Sequence, residues 1–524
     1  MGFIIENNIL EIFYASLLIF WIIYLYFAKN YSYWEERSVP HIPSVFPFGS
    51  IKDIILRKSF SGIVFDGIYK QFQEERYVGY IDIRTPALLI RDPELIKLIL
   101  QKDFDHFTDH YEFNEYPKQH MTRNLFTKKG NEWRHMRVKL SSAYTAAKVR
   151  MMFSVVKKSS DTLRKVVDQY THDSCIVDLK DFLSRFTVDV IASCAFGIEI
   201  NSLVDKESKF YRLGLESTQV KFSSLLKKFI SCSFPICFKI HVFNIIDPKI
   251  CDYFTGVIRS AVEYREEHNI SKYDFLDLLI KLRQNQSILD KGENPGNLED
   301  VAFPGKKEGL TIEEIAAETF LFFRAGYDST ANTIMFCLYE LACNSKIQEK
   351  LHQEVEEVLD RHKDAISYQA LQEMTYMDQV VSETLRRYPT FPFLSRRCTE
   401  NYNVPKSSLV IRKGNHITIP LYSLHHDPLH FPDPFTFNPD RFSPENCKER
   451  HPYVYIPFGE GPRMCIGQKF GLINVKTAVA TLALDYQFSL TPDTDYPLKL
   501  TNNACTTVPS KPLKLVFTRR RAKT

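Results

Sequence analysis

The chain has 524 residues, of which 44% are hydrophobic and 25% are charged, so it is long enough to bury a large core in one big domain or in several. Its formal net charge of +4 is small for this length, which argues against a nucleic-acid-binding protein, because such proteins normally carry a strongly basic surface. Its eleven cysteines lack the regular spacing of a disulfide framework, which predicts reduced thiols in a domain that faces the cytosol.

A membrane anchor is predicted at the N-terminus. Residues 12–28 carry no charged side chain and are rich in Ile, Leu, Phe and Tyr, which is close to the shortest helix that crosses a bilayer. The start of the chain is acidic, whereas a cleaved signal peptide starts with basic residues. Lys29 and Arg37 follow the segment and no lysine or arginine precedes it, so the positive-inside rule places the N-terminus in the lumen and the main body in the cytosol. We therefore assign residues 1–29 to an anchor.

A proline-rich segment follows the anchor. Pro40, Pro43 and Pro47 restrict the backbone and favour an extended, semi-rigid connector. We assign residues 30–50 to this hinge and residues 51–524 to the catalytic domain.

Helical periodicity dominates the rest of the sequence. Short strands are predicted over residues 77–83 and 87–90, which are rich in β-branched and aromatic side chains. Long helices are predicted over residues 311–341 and 347–359. The pattern predicts a mainly α fold with a smaller β-rich portion.

A loop near the C-terminus carries the clearest chemical signal. Cys465 lies among three glycines, with Arg463 two residues before it and Phe458 seven before. Glycines such as Gly459 and Gly467 let the backbone approach a negative sulfur, and an aromatic ring shields that sulfur from water. A glycine-rich turn with a buried cysteine is the other interpretation, but the fixed spacing of ten positions favours a thiolate metal ligand.

This loop resembles the heme-binding signature of the cytochrome P450 enzymes, F-x-x-G-x-R-x-C-x-G, at every fixed position. The resemblance implies a cytochrome P450 fold and a heme b whose iron takes Cys465 as its axial thiolate. It also implies that the side chains or backbone of Phe458, Gly459, Arg463 and Gly467 surround that heme.

Three further positions resemble heme contacts of the same family. Trp133 and Arg137 lie four residues apart, so one face of a helix presents both their donors to a carboxylate. A core tryptophan beside a surface arginine is the other interpretation of this pair. The resemblance to the family's W-x-x-x-R helix implies a heme propionate contact, and Arg396 matches another position that contacts a propionate.

A buried ion-pair cluster is implied by two more motifs. Glu383 and Arg386 match the family's E-x-x-R, and Arg441 belongs to a stretch that resembles its P-x-R-F element. A carboxylate between two guanidiniums stays buried only when its hydrogen bonds are satisfied. The resemblance therefore implies structural support beneath the heme for these three residues.

The predicted helix over residues 311–341 contains the motif for oxygen chemistry. Ala325, Gly326, Asp328, Ser329 and Thr330 resemble the family's [A/G]-G-x-[D/E]-T-[T/S], with serine in place of the usual first threonine. A glycine followed by an acid and an alcohol is unfavourable inside an apolar helix unless it has a use. By the resemblance, Ala325 and Gly326 adjoin the heme, and the acid and the hydroxyls deliver protons during oxygen activation.

Arg324 and two other stretches of the sequence give predictions about the pocket and its surroundings. Arg324 is placed to pair with Asp328 at i,i+4 and so to weaken its role in proton transfer. Phe113, Leu125 and Phe126 lie in a stretch that corresponds to a loop over the heme and are candidate substrate contacts. Residues 222–254 mix apolar and lysine side chains, which suits either a lid at the membrane interface or a buried helix pair.

The resemblance implies a monooxygenase that inserts one oxygen atom of O₂ into lipophilic small molecules. The chain has no dinucleotide-binding fingerprint, so electrons must come from a separate protein. By family analogy this is the NADPH-cytochrome P450 reductase of the endoplasmic reticulum membrane, with cytochrome b5 as a second donor. The chain looks most like insect microsomal members associated with foreign compounds.

Three alternatives stay open at this point. The first is a monooxygenase that hydroxylates an endogenous hormone or lipid. The second is a heme-thiolate isomerase or dehydratase that needs no reductase. The third is a non-catalytic heme-binding membrane protein. Dependence of turnover on NADPH and reductase separates the monooxygenases from the other two.

Overall fold

The structure is a computed structural model, and the described part of the chain forms a helical body with three small β-sheets. The predicted mainly α fold with a smaller β-rich portion is confirmed. The described residues are 2–111, 119–170, 174–219, 226–227, 229–230, 233–234, 244, 246–272, 274–284, 309–363, 365–502 and 506–520.

The α-helices of the described chain differ widely in length, and α11 is the longest of them. In chain order they are α1 (Gly2–Ala28), α2 (Lys52–Ile55), α3 (Ser61–Gln71), α4 (Pro93–Lys97), α5 (Gly130–Ser141), α6 (Ala146–Tyr170), α7 (Leu179–Ile191), α8 (Lys209–Thr218), α9 (Pro248–His268), α10 (Phe275–Arg283), α11 (Ile312–Cys343), α12 (Ser345–Arg361), α13 (Tyr368–Glu373), α14 (Thr375–Arg387), α15 (Leu421–His425), α16 (Pro444–Lys448) and α17 (Gln468–Asp485).

The strands of the described chain are short. They are β1 (Tyr77–Asp82), β2 (Thr85–Ile90), β3 (Ser174–Asp178), β4 (Leu394–Arg397), β5 (Tyr402–Asn403), β6 (Val410–Ile411), β7 (His416–Ile419), β8 (Tyr486–Leu490) and β9 (Lys514–Arg519).

The four-stranded sheet joins distant parts of the chain. Its order is β1-β2-β7-β4, with β2 and β7 parallel and the other two pairs antiparallel. The two short strands predicted over 77–83 and 87–90 are confirmed as β1 and β2, which pair antiparallel. Strand β4 lies at one edge of the sheet, where Arg396 pairs with Ile417 of β7, and this placement brings Arg396 into the site described below.

Helix α11, called the central helix below, runs through the core. It begins at a capping box in which Thr311 accepts from the Glu314 backbone N–H and Glu314 accepts from the Thr311 backbone N–H. Most of its side chains are buried on every face, as expected of a helix with neighbours all round. The predicted long helix over 311–341 is confirmed.

Two hydrophobic clusters make up the core. The larger one surrounds the central helix, and the smaller one lies over the four-stranded sheet. Phe458 packs against the larger cluster, while Leu394 packs against the smaller. A Cβ on Gly459 of the predicted thiolate loop would lie 3.8 Å from Leu394, so this loop lies where the two clusters meet.

The N-terminal helix has the character of a membrane anchor. Within the described chain, Ile9–Ala28 is a helix long and apolar enough to cross a bilayer, with a mean hydropathy of 2.0, and its residues 9–25 are exposed. Its last turn contacts the body: Tyr26 donates to the Ser233 carbonyl at 2.7 Å, and Phe27 lies edge-on to Phe46.

Candidate functional site

The cysteine loop, residues 458–467, is held in a tight turn. The Cys465 backbone N–H donates to the Phe458 carbonyl at 2.9 Å. Gly459 and Gly461 have φ angles of 70° and 74°, in the left-handed region that favours glycine. A Cβ on Gly461 would lie 1.8 Å from the Leu100 carbonyl oxygen, so no larger residue fits there.

The Cys465 side chain faces an internal space. It has an exposed surface, yet burial is the largest cause that raises the pKa of its thiol, while the Gly467 backbone N–H and Arg137 act in the opposite direction. Protein surrounds the thiol although part of the side chain is exposed, as expected at the wall of a cavity. Tyr144 is within electrostatic range of this thiol and packs 5.5 Å from Phe322 of the central helix. The central helix therefore runs close to the cysteine.

Three arginines, Arg137, Arg396 and Arg463, form a buried guanidinium cluster. Burial lowers the pKa of Arg396 to about 10 and that of Arg463 to about 9, and it also lowers the pKa of Arg137. Their mutual repulsion contributes, since Arg396 and Arg137 both lower the pKa of Arg463. Among the described residues, no carboxylate forms an ion pair with these three guanidiniums, although Asp109 is close enough to raise the pKa of Arg463. One carboxylate at longer range leaves most of the buried positive charge uncompensated, which favours the binding of an anion.

The hydrogen bonds of the cluster show where that anion fits. Arg463 donates to the backbone carbonyls of Thr108 at 2.8 Å and Lys128 at 2.7 Å, which fixes its guanidinium. Arg396 donates to the Ser395 carbonyl at 2.8 Å, but its Nε is buried without a partner in the described chain. The Arg463 guanidinium also lies 4.2 Å from the ring centre of Trp133. Heme carries two carboxylates and an iron that binds a thiolate. It therefore fits a site that offers guanidinium donors beside a cysteine.

His110 is a member of this site that no sequence motif indicates. Its ring stacks on Phe126 at 4.4 Å, and its Nδ1 lies 3.3 Å from a guanidinium nitrogen of Arg396. Burial, followed by the charges of Arg396 and Arg463, holds the pKa of His110 well below its ordinary value. The imidazole is therefore neutral. Only the tertiary fold brings it beside the cluster.

The three candidate substrate contacts differ in where the structure places them. Phe113 lies outside the described residues, as does most of the predicted lid. Leu125 is buried, and its carbonyl accepts from Arg463 at 3.2 Å, so its backbone supports the cluster. Phe126 reaches the site through its stacking on His110.

The ion pair predicted from E-x-x-R is present and fully buried. Arg386 donates to both carboxylate oxygens of Glu383, at 2.7 and 2.8 Å, and neither side chain has any exposed surface. Arg441 approaches the same carboxylate at 3.5 Å. The Asn438 backbone N–H adds a hydrogen bond at 3.0 Å, so the carboxylate holds together helix α14 and the loop that leads to the cysteine.

The predicted pair of Arg324 and Asp328 is wrong. Lys180 of α7 approaches Asp328 from the neighbouring helix and donates to its Oδ1 at 2.6 Å. The Arg324 guanidinium lies instead 5.9 Å from the Phe320 ring centre. The spacing of residues within one helix cannot predict an ion pair with a lysine of another helix.

The rest of the oxygen-chemistry motif lies near the middle of the central helix. Ala325 is exposed although most of the helix is buried, which indicates a space beside it. Ser329 donates to the Ala325 carbonyl at 2.6 Å, and Thr330 is buried. A Cβ on Gly326 would lie 2.7 Å from Ile191, so this glycine permits close packing of α7.

Glu318 is a second residue that the sequence motifs do not single out. It is only 2% exposed, and its Oε2 accepts from the Leu125 backbone N–H at 3.1 Å. Its Oε1 is buried without a hydrogen bond to the described chain. Burial raises the pKa of this carboxyl to about 8.

This raised pKa predicts a pH-dependent stability. The carboxyl of Glu318 holds its proton more tightly in the folded chain than in the unfolded one. Its contribution to the free energy of unfolding is therefore complete below the ordinary pKa of 4.5 and is lost as the pH rises towards the folded pKa of about 8. Glu318→Gln removes the ionisation and keeps an acceptor for Leu125. We expect a thermal midpoint at least about 2 °C above that of the parent at pH 8 and a similar midpoint at pH 5. Glu132→Gln, at a side chain with 67% exposure, is the control and should match the parent at both pH values.

Comparisons with known proteins agree with this site. The family described as Cytochrome P450 matches residues 57–517. The chain is 38% identical to "Probable cytochrome P450 6a13" of Drosophila melanogaster, over 92% of this chain and 93% of that protein. It is 36% identical to "Cytochrome P450 6a9" of the same organism, over 89% and 90% of the two chains. It is 34% identical to "Cytochrome P450 6j1" of Blattella germanica, over 91% of each.

The helical fold, the cysteine loop and the guanidinium cluster are those expected of a heme-thiolate enzyme. The chain belongs to the cytochrome P450 family, and the three relatives named above are insect proteins. It is thus a monooxygenase whose heme iron takes a thiolate ligand. Members of this family work with redox partners and act on lipophilic substrates in general.

Proposed function

We propose that Cys465 is the residue that would bind the heme iron through its thiolate, and that the chain oxidises lipophilic small molecules, most of them foreign compounds. The observation that carries this proposal is the guanidinium cluster beside the Cys465 thiol, whose three positive charges have only the Asp109 carboxylate near them, with no ion pair among the described residues. Arg137, Arg396 and Arg463, with the indole N–H of Trp133, are the donors for the heme propionates. The backbone of Gly459 and Gly467 and the ring of Phe458 enclose the sulfur.

The heme, when bound, supplies oxygen activation at its thiolate-ligated iron. The protein's own residues hold and move protons. Asp328 exchanges protons with solvent, and Ser329 and Thr330 hold water in the groove beside Ala325. Glu383, Arg386 and Arg441 fix the loop beneath the heme and take no part in the proton transfers.

The remaining assignments concern location and partners. Residues 1–29 anchor the chain in the endoplasmic reticulum membrane, residues 30–50 form the hinge, and residues 51–524 form the catalytic domain in the cytosol. Support comes from the apolar helix at Ile9–Ala28 and from the absence of lysine and arginine before it. NADPH-cytochrome P450 reductase is the electron donor, and cytochrome b5 is a second one.

The test is reconstituted turnover. The full chain is placed in lipid vesicles with the reductase and NADPH and is offered a panel of lipophilic foreign compounds. We expect oxidised product that requires O₂, NADPH and reductase together. Conversion of organic peroxides without reductase would instead identify an isomerase or dehydratase. Bound heme with no turnover of any kind would identify a binding protein.

Ser329→Ala is expected to leave heme binding and reduction intact and to raise the ratio of hydrogen peroxide to product. The reason is that the hydroxyl favours proton delivery over loss of reduced oxygen. The rate of product formation should fall by less than the roughly 10²–10⁴-fold that is typical of removing a general acid, because the Thr330 hydroxyl and water remain. NADPH consumed, peroxide formed and product formed are measured together.

The conservative variant Ser329→Thr is the control. It keeps the hydroxyl and adds a methyl group that restricts its rotation, so its ratio should equal or fall below that of the parent. A parent-like ratio in Ser329→Ala would assign the hydroxyl role to Thr330 instead.

A further inference from the structure

The Arg463 guanidinium is held mainly by backbone carbonyls. Its Nε donates to the Thr108 carbonyl at 2.8 Å, and its Nη2 donates to the Lys128 carbonyl at 2.7 Å. Its Nη1 donates to the carbonyls of Leu125 at 3.2 Å and Phe126 at 3.4 Å. These acceptors occupy most of the N–H groups that a guanidinium offers. The position of the carbonyls therefore decides where the guanidinium lies.

Three of these carbonyls belong to one short turn, residues 124–128, called the carbonyl turn below. Asn124 organises the turn. Its Nδ2 donates to the Met121 carbonyl at 3.0 Å, and its Oδ1 accepts from the Phe126 backbone N–H at 3.1 Å. The Asn124 carbonyl accepts from the Lys128 backbone N–H at 2.9 Å. With these bonds the turn moves as one unit, so a contact at one residue fixes all three carbonyls.

Glu318 connects the carbonyl turn to the central helix. Its Oε2 accepts from the Leu125 backbone N–H at 3.1 Å, and its Oε1 is buried without a hydrogen bond to the described chain. Because burial raises the pKa of this carboxyl to about 8, most of it is neutral at pH 7 and glutamine is its close analogue. Glu318 precedes Ala325 by seven residues, which is nearly two helical turns, so both lie on one face of the helix. The turn is thus held at the face that carries the groove.

The peptide groups of Leu125 join two separate walls of the site. Its N–H binds Glu318 of the central helix, and its carbonyl binds Arg463 of the cysteine loop. We propose that Glu318 is a positioning residue for the heme site, which fixes the Arg463 guanidinium relative to the central helix through the carbonyl turn. The proposal rests on the proposed role of Arg463 as a donor to a heme propionate. Glu318 acts through Leu125 and takes no part in the proton transfers.

The experiment compares Glu318→Leu and Glu318→Gln with the parent, as the full chain in vesicles. In Glu318→Leu the Leu125 N–H loses its acceptor, so amide hydrogen exchange in the peptide covering residues 121–128 should become about threefold to tenfold faster. Transfer of heme to excess apomyoglobin should accelerate by a similar factor, and the propionate bending band in the resonance Raman spectrum should shift. Glu318→Gln keeps an acceptor and should resemble the parent in all three measurements.

Two further variants separate this role from general damage to the core. Thr319→Val is the matched control, because Thr319 is a buried polar neighbour on the same helix whose hydroxyl has no hydrogen bond to the described chain. It should match the parent. Glu318→Asp keeps the acid but is one methylene shorter, so it should change the three measurements in the same direction as Glu318→Leu. It also provides the test if Glu318→Leu is not recovered with heme.

Combination with Arg463→Lys tests the route of the effect. Lysine cannot donate to four carbonyls at once, so adding Glu318→Asp to Arg463→Lys should cause no further acceleration of heme transfer. Parent-like exchange in residues 121–128, or parent-like heme transfer, in both Glu318→Leu and Glu318→Asp would overturn the proposal. Equal acceleration with and without Arg463 would also overturn it. Parent-like heme transfer and an unshifted propionate band in Arg463→Lys alone would contradict the proposed role of Arg463 instead.

Discussion

Cys465→Ala is expected to abolish monooxygenase activity and the absorption band of the ferrous carbon monoxide complex that marks a thiolate ligand. The loop's other sulfur, in Met464, is a thioether and carries no negative charge, so it cannot supply a thiolate ligand. The measurement is the reduced difference spectrum, together with the heme content of the purified protein.

Cys447→Ala is the matched control for this experiment. Cys447 is an exposed free cysteine outside the loop, so its loss should leave the band unchanged. Cys505→Ala, at a position outside the described residues, should behave in the same way. A thiolate band that persists in Cys465→Ala would assign the ligand to another cysteine.

Glu383→Ala is expected to destabilise the folded chain by about 3–5 kcal/mol, since it leaves the Arg386 guanidinium buried without its carboxylate. That is a large part of the total stability of a typical protein. Little folded, heme-containing protein should therefore be recovered from cells. Heme content per chain and the thermal midpoint of the recovered fraction are the measurements.

A surface ion pair gives the comparison for Glu383→Ala. Glu199 and Lys158 are about 70% exposed, and exposed pairs of this kind contribute about 0–1 kcal/mol. Glu199→Ala should therefore keep its heme and its midpoint. If Glu383→Ala also folds with full heme content but turns over slowly, the carboxylate acts in the chemistry and its assignment as support is wrong.

The sequence by itself was enough to predict the apolar N-terminal helix, the first two strands, the central helix and the turn that holds Cys465. The reason is that each depends on residues that are close in the chain. An uncharged apolar stretch before Lys29 is sufficient for a long apolar helix, and glycines around Cys465 are sufficient for a tight turn. The contact between Glu383 and Arg386 was also predictable, because residues three apart share one face of a helix.

The tertiary structure alone decided which distant groups complete the site. Lys180 precedes Asp328 by 148 residues, and His110 precedes Arg396 by 286. No periodicity connects such pairs, so the local pattern suggested Arg324 as the partner of Asp328 and gave no indication of His110. Packing of α7 on the central helix and of β4 beside the loop determines these contacts, because burial and hydrogen bonding act between elements whatever their separation in the chain.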